Sequence, residues 1–111
     1  MFEARQLTEH GKIYLDAANL LEKKGWCQNR SSNPKGQVCM GEALYRATFG
    51  KPELNSSEYY LSCGTPEREK WDSVHTALSK FIGRDIVNWN DTTGRTKTEV
   101  IEKLREAAYN P

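Results

Sequence analysis

Apolar residues recur at three- and four-residue intervals along most of this chain, and short polar stretches divide the recurrence into segments. Ile13, Ala17, Leu20 and Leu21 share one face, flanked by Tyr14 and Ala18. They predict a first helix from an N-cap at Thr8 to Lys24. Lys23 and Lys24 suit the carbonyl end of its dipole, and Gly25 suits a left-handed stop. Gly11 weakens its first turn by about 1 kcal/mol relative to alanine. Gln28 to Gln37, with Ser-Ser, Asn-Pro and Lys-Gly pairs, reads as a loop. A second helix is expected over 38–49, with Met40, Ala43, Leu44 and Ala47 inward and Gly50 and Pro52 ending it.

Asn55-Ser56-Ser57-Glu58 could cap a short helix containing Tyr59, Tyr60 and Leu61. A third main helix opens with Thr65 as cap and Pro66 as first residue, and Glu67 and Glu69 complement its dipole. Trp71, Val74, His75, Leu78, Phe81 and Ile82 follow its inner face, and Gly83 stops it. Arg84 to Trp89 reads as a short helical turn. Thr96 and Glu99 form a capping box that opens a last helix to Tyr109. Val100, Ile101, Leu104 and Ala108 face inward there, and Glu99 and Lys103 are placed for a surface pair. No segment alternates like a strand for more than a few residues. The pattern predicts an all-α fold: a small orthogonal bundle of four main helices with one or two short extra helices, one domain over residues 1–111.

Composition narrows the function classes. The chain has 111 residues and a net charge of +1, so no global field recruits nucleic acid, and no basic helix face appears. Three Trp, five Tyr and three Phe are too many for a disordered tail. No apolar run approaches twenty residues, and Met1 to Gln6 lacks the character of a signal peptide. Three cysteines at irregular spacing argue against a disulfide scaffold. A cytoplasmic protein with reduced thiols is expected, with no membrane and no cofactor.

Candidate chemistry concentrates in two loops that each hold a tryptophan. From Lys23 to Gln37 there are four cations, Lys23, Lys24, Arg30 and Lys35, and no acid. Trp26 sits among them, and the loop runs into the start of the second helix, whose free amides attract anions. Trp26, Arg30 and Lys35, with Arg46 on that helix, could hold a phosphate-bearing ligand whose base stacks on Trp26. The plainer reading, a solvated loop with Trp26 folded back as a plug, is favoured. The second loop runs from Trp89 to Thr96. Asn90 and Asp91 suit Asx turns, Gly94 permits positive φ, and Arg95 pairs with Asp91 or faces a ligand. A structural plug is again the favoured reading for Trp89.

Two chemical constellations rank lower. Cys27, Cys39, Cys63 and His75 offer a Cys₃His zinc set, but no pair has knuckle spacing, so no metal is expected. Cys39 lies at a helix start, which lowers a thiol pKa, and His75 and Asn90 would complete a Cys-His-Asn arrangement. Any chain of this composition offers such a set, so the expectation is a non-enzymatic protein with no catalytic residue.

The motifs in combination are specific. Gly25-Trp26-Cys27-Gln28 is followed by Cys39-Met40-Gly41-Glu42-Ala43-Leu44. Val87-Asn88-Trp89-Asn90-Asp91 and Gly94-Arg95-Thr96 come later, and Leu104 to Ala108 closes the set. The chain resembles, from about Tyr14 to Ala108, a family of short proteins of unknown function from actinobacteria and their phages. Residues 29–35 and 51–64 depart from that pattern. The resemblance implies a cytosolic protein of bacterial or phage origin, and it brings no activity or ligand.

Three functions are therefore weighed. The first is a small non-enzymatic accessory binding protein acting on a host factor, with a host protein as partner. The second is a binder or sponge for a small anionic, nucleotide-like ligand using Trp26, Arg30, Lys35, Arg46, Trp89 and Arg95. The third is a thiol hydrolase centred on Cys39.

Overall fold

The computed structural model describes residues 7–50 and 66–110. These form five helices: α1 (Glu9–Lys24), α2 (Met40–Phe49), α3 (Pro66–Ile82), α4 (Ile86–Asn90) and α5 (Lys97–Ala108). No strand occurs among the described residues, and the fold is a small all-α bundle. The expected Tyr59–Tyr60 helix, the Thr65 cap and Cys63 lie outside the described residues.

Four helices, α1, α2, α4 and α5, begin where a side chain answers free amides. Thr8 Oγ1 accepts from the Gly11 amide at 2.9 Å to open α1. The Thr96–Glu99 box opens α5, with both reciprocal bonds made. Asp85, which the sequence pattern passed over as part of a turn, caps α4 through the amides of Val87 and Asn88. Gly25 and Gly50 end α1 and α2 with positive φ.

The start of α2 is two residues later than expected. Val38 is extended rather than helical: its amide donates to the Gly25 carbonyl and its carbonyl accepts from the Cys27 amide, each at 3.1 Å. Cys39 is the N-cap. An apolar Val38 in register with the helical stripe looks like a first turn, but a pairing with a residue twelve positions earlier decides its conformation.

α1 is the central helix, packed most heavily on α5 and then on α2. Its buried residues are Ile13, Tyr14, Ala17, Ala18 and Leu21, with Gly11. That glycine has a packing reason: a Cβ there would lie 2.7 Å from the Ala108 carbonyl oxygen of α5. Tyr14 also reaches α3, its hydroxyl donating to the Val74 carbonyl at 3.1 Å. Val38, Met40, Ala43, Leu44, Tyr45, Trp71, Val74, Leu78, Ile86, Trp89, Val100, Ile101, Leu104, Ala107 and Ala108 complete the core.

Two expectations are corrected. Phe81, placed on the inner face of α3 by spacing, is 39% exposed, because beyond Leu78 the inner face continues through Ile82, which packs on the core, and leaves Phe81 at its edge. Glu99 and Lys103 do not pair: Glu99 bonds Arg95 at 3.1 Å, and Lys103 bonds Glu106 at 3.4 Å. Arg95 precedes the helix and reaches Glu99 from the capping turn.

Candidate functional site

The basic loop is held by its own backbone. Cys27 and Val38 pair as described, Cys39 N–H donates to the Ser31 carbonyl at 2.9 Å, and Asn33 N–H donates to the Gln37 carbonyl at 3.1 Å. The Asn33 side chain closes the tip, with Oδ1 accepting from the amides of Lys35 and Gln37 and Nδ2 donating to Gln37 Oε1. Gly25 is required at the base, because its φ is 92° and a Cβ would lie 2.9 Å from Gln37 Cγ.

Trp89 and Asn90, expected at the start of a loop, are the last residues of α4, and Asn90 joins the Trp26 loop to that helix end and the turn that follows it. Its Oδ1 accepts from the Trp26 indole Nε1–H at 2.7 Å and from the Met40 amide at 3.0 Å. Its Nδ2 donates to the Cys27 carbonyl at 3.3 Å and to Asp91 Oδ1 at 2.9 Å. Asp91 Oδ1 also accepts from the Asn29 amide at 2.8 Å. Gln28 Nε2 donates across the gap to the carbonyls of Asn90 and Thr92, both at 2.9 Å. Asn90 is 1% exposed, and its bonds to the Met40 amide and the Cys27 carbonyl are made out of water. A buried amide in that position must satisfy both donors and its acceptor.

This arrangement distributes the residues singled out in the sequence among three places. Trp26, Arg30 and Lys35 share the braced loop. Trp26 is half-buried against Asn90, while Arg30 and Lys35 are exposed and make no ion pair among the described residues. Arg46 lies on α2, where its Nε bonds the buried carboxylate of Glu42 at 2.7 Å. Trp89 and Arg95 form a third group. Trp89 is buried, the Arg95 guanidinium lies 3.9 Å from its ring centroid, and Arg95 Nε–H donates to the Trp89 carbonyl at 3.0 Å. Glu99, Glu102 and Lys103 join them around a pocket of about 260 Å³. Arg95 does not pair with Asp91. It covers the indole and pairs with Glu99.

The amides at the start of α2 are occupied. Met40 N–H is taken by Asn90, Glu42 N–H donates to Cys39 Sγ at 3.3 Å, and Ala43 N–H donates to the Cys39 carbonyl at 2.9 Å. An anion near this loop would meet the side chains of Arg30 and Lys35 rather than that helix end.

The thiols are in structural use. Cys39 is half-buried, and burial raises its pKa despite the amide bonds that oppose the rise. Its Sγ serves as the cap of α2. Cys27 is buried, its Sγ 3.5 Å from the carbonyls of Arg30 and Gln37, and burial is the main cause of its raised pKa, with Arg30 opposing. His75 faces Asp85, Nε2 to Oδ1 3.8 Å, and its ring tilts against Trp71. Among the described residues no hydrogen bond links Cys39 to His75, and the Asn90 amide is fully engaged elsewhere. No group of three His, Cys, Asp or Glu among the described residues sits close enough to hold a metal ion.

The family match is decided over nearly the whole chain, since residues 6–110 match the model of a family of unknown function, DUF6197. The chain belongs to that family. No curated protein and no solved structure matches it. The DUF6197 match spans every residue of the Asn90 junction: the Gly-Trp-Cys-Gln turn, the Cys-Met start of α2 and the Trp-Asn-Asp turn. Among the described residues no helix is long and apolar enough to cross a membrane.

The sequence pattern marks Asn90 as an Asx-turn residue and as a third member beside Cys39 and His75, not as the junction between loops, and it gives Gln28 no role as a strap. The signal in the sequence was two amide residues, Gln28 beside Cys27 and Asn90 beside Trp89, with the carboxylate of Asp91 next to the second. Apart from the Asn90–Asp91 bond, their partners lie fifty or more positions away, so no local rule pairs them.

Proposed function

We propose that this protein is a small, non-enzymatic accessory binding module that presents its basic loop to an acidic surface on a partner protein. The observation that carries this reading is the brace. Arg30 and Lys35 stand exposed on a loop held by Asn33 at its tip and by Asn90 and Gln28 at its base. Lys23 and Lys24 are exposed at the adjoining end of α1. A loop already ordered before binding loses less conformational entropy on meeting a partner, which raises affinity for a given set of contacts. The chain's resemblance to short actinobacterial and actinophage proteins supports a phage-encoded protein that works in the host cytoplasm on a host factor.

The test is capture from an actinobacterial host lysate on the intact chain, with bound proteins and small molecules identified together by mass spectrometry. The Arg30→Glu, Lys35→Glu double variant is the control of choice, because both side chains are exposed and outside the brace. Loss of the captured protein in that variant, and weakening with added salt, support the reading. Capture that is indifferent to both changes refutes it.

A second reading, a nucleotide-like anion held by the same loop, is favoured by one observation: Trp26 is only half-buried, so part of the indole remains available for stacking. A small molecule in place of a protein in the capture would select it.

A further inference from the structure

A cleft of about 380 Å³ opens between the start of α1, the second half of α3 and the end of α5, and no residue of the braced loop lines it. Its size falls within the range of small-molecule sites, roughly 300–1,000 Å³. We propose that it binds a small organic cation with a flat, apolar body, an arylalkylamine being the simplest example. The proposal does not rest on the function assigned to the basic loop.

The walls are aromatic and shallow. His10 and Tyr14 present tilted rings with centroids 6.1 Å apart. The Tyr14 hydroxyl is turned away to the Val74 carbonyl, so Tyr14 offers only ring carbon to the cleft. Phe81 stands opposite with 39% of its surface exposed, and Ala77 and Ala107 leave the space that larger residues would fill. An exposed phenylalanine on the wall of such a cleft gains burial only when something flat enters.

Among the described lining residues the formal charge is a carboxylate. Glu9 lies on one side and the carbonyl end of α5, from Ala107 to Asn110, on the other. Glu9 pairs with Lys70 at 3.2 Å, but the two side chains are 72% and 42% exposed, and such a pair leaves the carboxylate open to a second cation. The amide end of α1 offers less competing attraction for an anion, because Thr8 takes the Gly11 and Lys12 amides and Glu9 occupies the same turn. Phe81 already has a cation near it: Lys103 Nζ lies 5.8 Å from its ring centroid and is neutralised by Glu106. Aromatic walls with an acidic mouth complement an ammonium group carried on a ring.

The test is a titration of the intact ¹⁵N-labelled chain with tryptamine and, in parallel, with indole-3-acetate, which shares the ring and reverses the charge. Tryptamine is expected to give saturable shifts confined to amides near Thr8 to Tyr14, Ala77 to Phe81 and Ala107 to Asn110. It should bind about five-fold tighter than indole-3-acetate, the factor expected from one close charge contact in water. Ala77→Trp fills the cleft and should abolish saturation while the Trp26 indole resonance stays in place. Phe81→Ala, at an exposed position, should weaken tryptamine several-fold if the larger substitution disturbs folding. Equal affinity for the two probes overturns the assignment of a cation. Shifts that do not saturate, or that map to the Trp26 loop instead, overturn the site.

Discussion

Asn90 uses all of its hydrogen-bonding capacity on one junction, two donated bonds and two accepted ones. Asn90→Ala would strand the buried Met40 amide and take the partner from the half-buried Trp26 indole, and leaving such groups unsatisfied costs roughly 1–3 kcal/mol each. Urea denaturation should therefore show a loss of about 3 kcal/mol or more by the same reasoning, with reduced near-ultraviolet dichroism from Trp26. A loss below about 1 kcal/mol would mean that water replaces the amide there. Gly11 gives a second case in which a local rule points the wrong way. Helix propensity favours alanine by about 1 kcal/mol. The Ala108 carbonyl 2.7 Å from the added Cβ is backbone and cannot swing aside, so Gly11→Ala should lower the melting temperature. Tyr14 is the third. Burial pushes its pKa up to about 12 from the ordinary value of 10.0. The folded state then holds this proton more tightly than the unfolded chain does. The resulting stability is present below pH 10 and is lost as pH rises from 10 toward 12. Tyr14→Phe should flatten that part of the alkaline limb in pH-dependent unfolding. An unchanged limb would place the titration elsewhere.

At the scale of elements, the ends of helices were legible because capping is local. Thr8, Gly25, Gly50, Gly83, Thr96 and Glu99 act within four residues of themselves, and they act as spacing predicts. The Thr96 box has a pH signature. The Thr96 backbone amide is the largest cause that holds the Glu99 carboxyl below its usual range. Its contribution is present above the ordinary glutamate pKa and disappears as pH falls through the lowered value. Glu99→Gln should remove that part of the acid limb, and Thr96→Ala should cost about 1 kcal/mol at neutral pH. Both are read from denaturant melts at several pH values. The start of α2 was not legible, because Val38 is claimed by Trp26 and Ser32 in the loop before it, and a sulfur rather than a hydroxyl serves as cap.

For the whole molecule, burial converges on α1 between α5 and α2. Leu104 of α5 is fully buried, so Leu104→Ala should destabilise by about 2–5 kcal/mol in chemical denaturation. The all-α class and most core positions followed from helical periodicity, since a helix must bury its apolar stripe whatever it packs against. Phe81 escaped this rule because exposure in a last turn depends on where the neighbouring helices end. The candidate site was legible only as two unexplained turns. Arg95 over Trp89, Gln28 across to Thr92, and Asn90 between Trp26 and Met40 join residues far apart in the chain, apart from the first pair. The sequence by itself determined the main helices, the Thr8 and Thr96 caps, the glycine stops and the cationic character of the Lys23–Lys35 stretch, because these depend on spacing and residue type. Only the tertiary structure decided that the tryptophan loops are one junction, that the α2 amides are already answered, and that an aromatic cleft lies away from both. Each of these depends on which distant groups satisfy one another when the chain is closed.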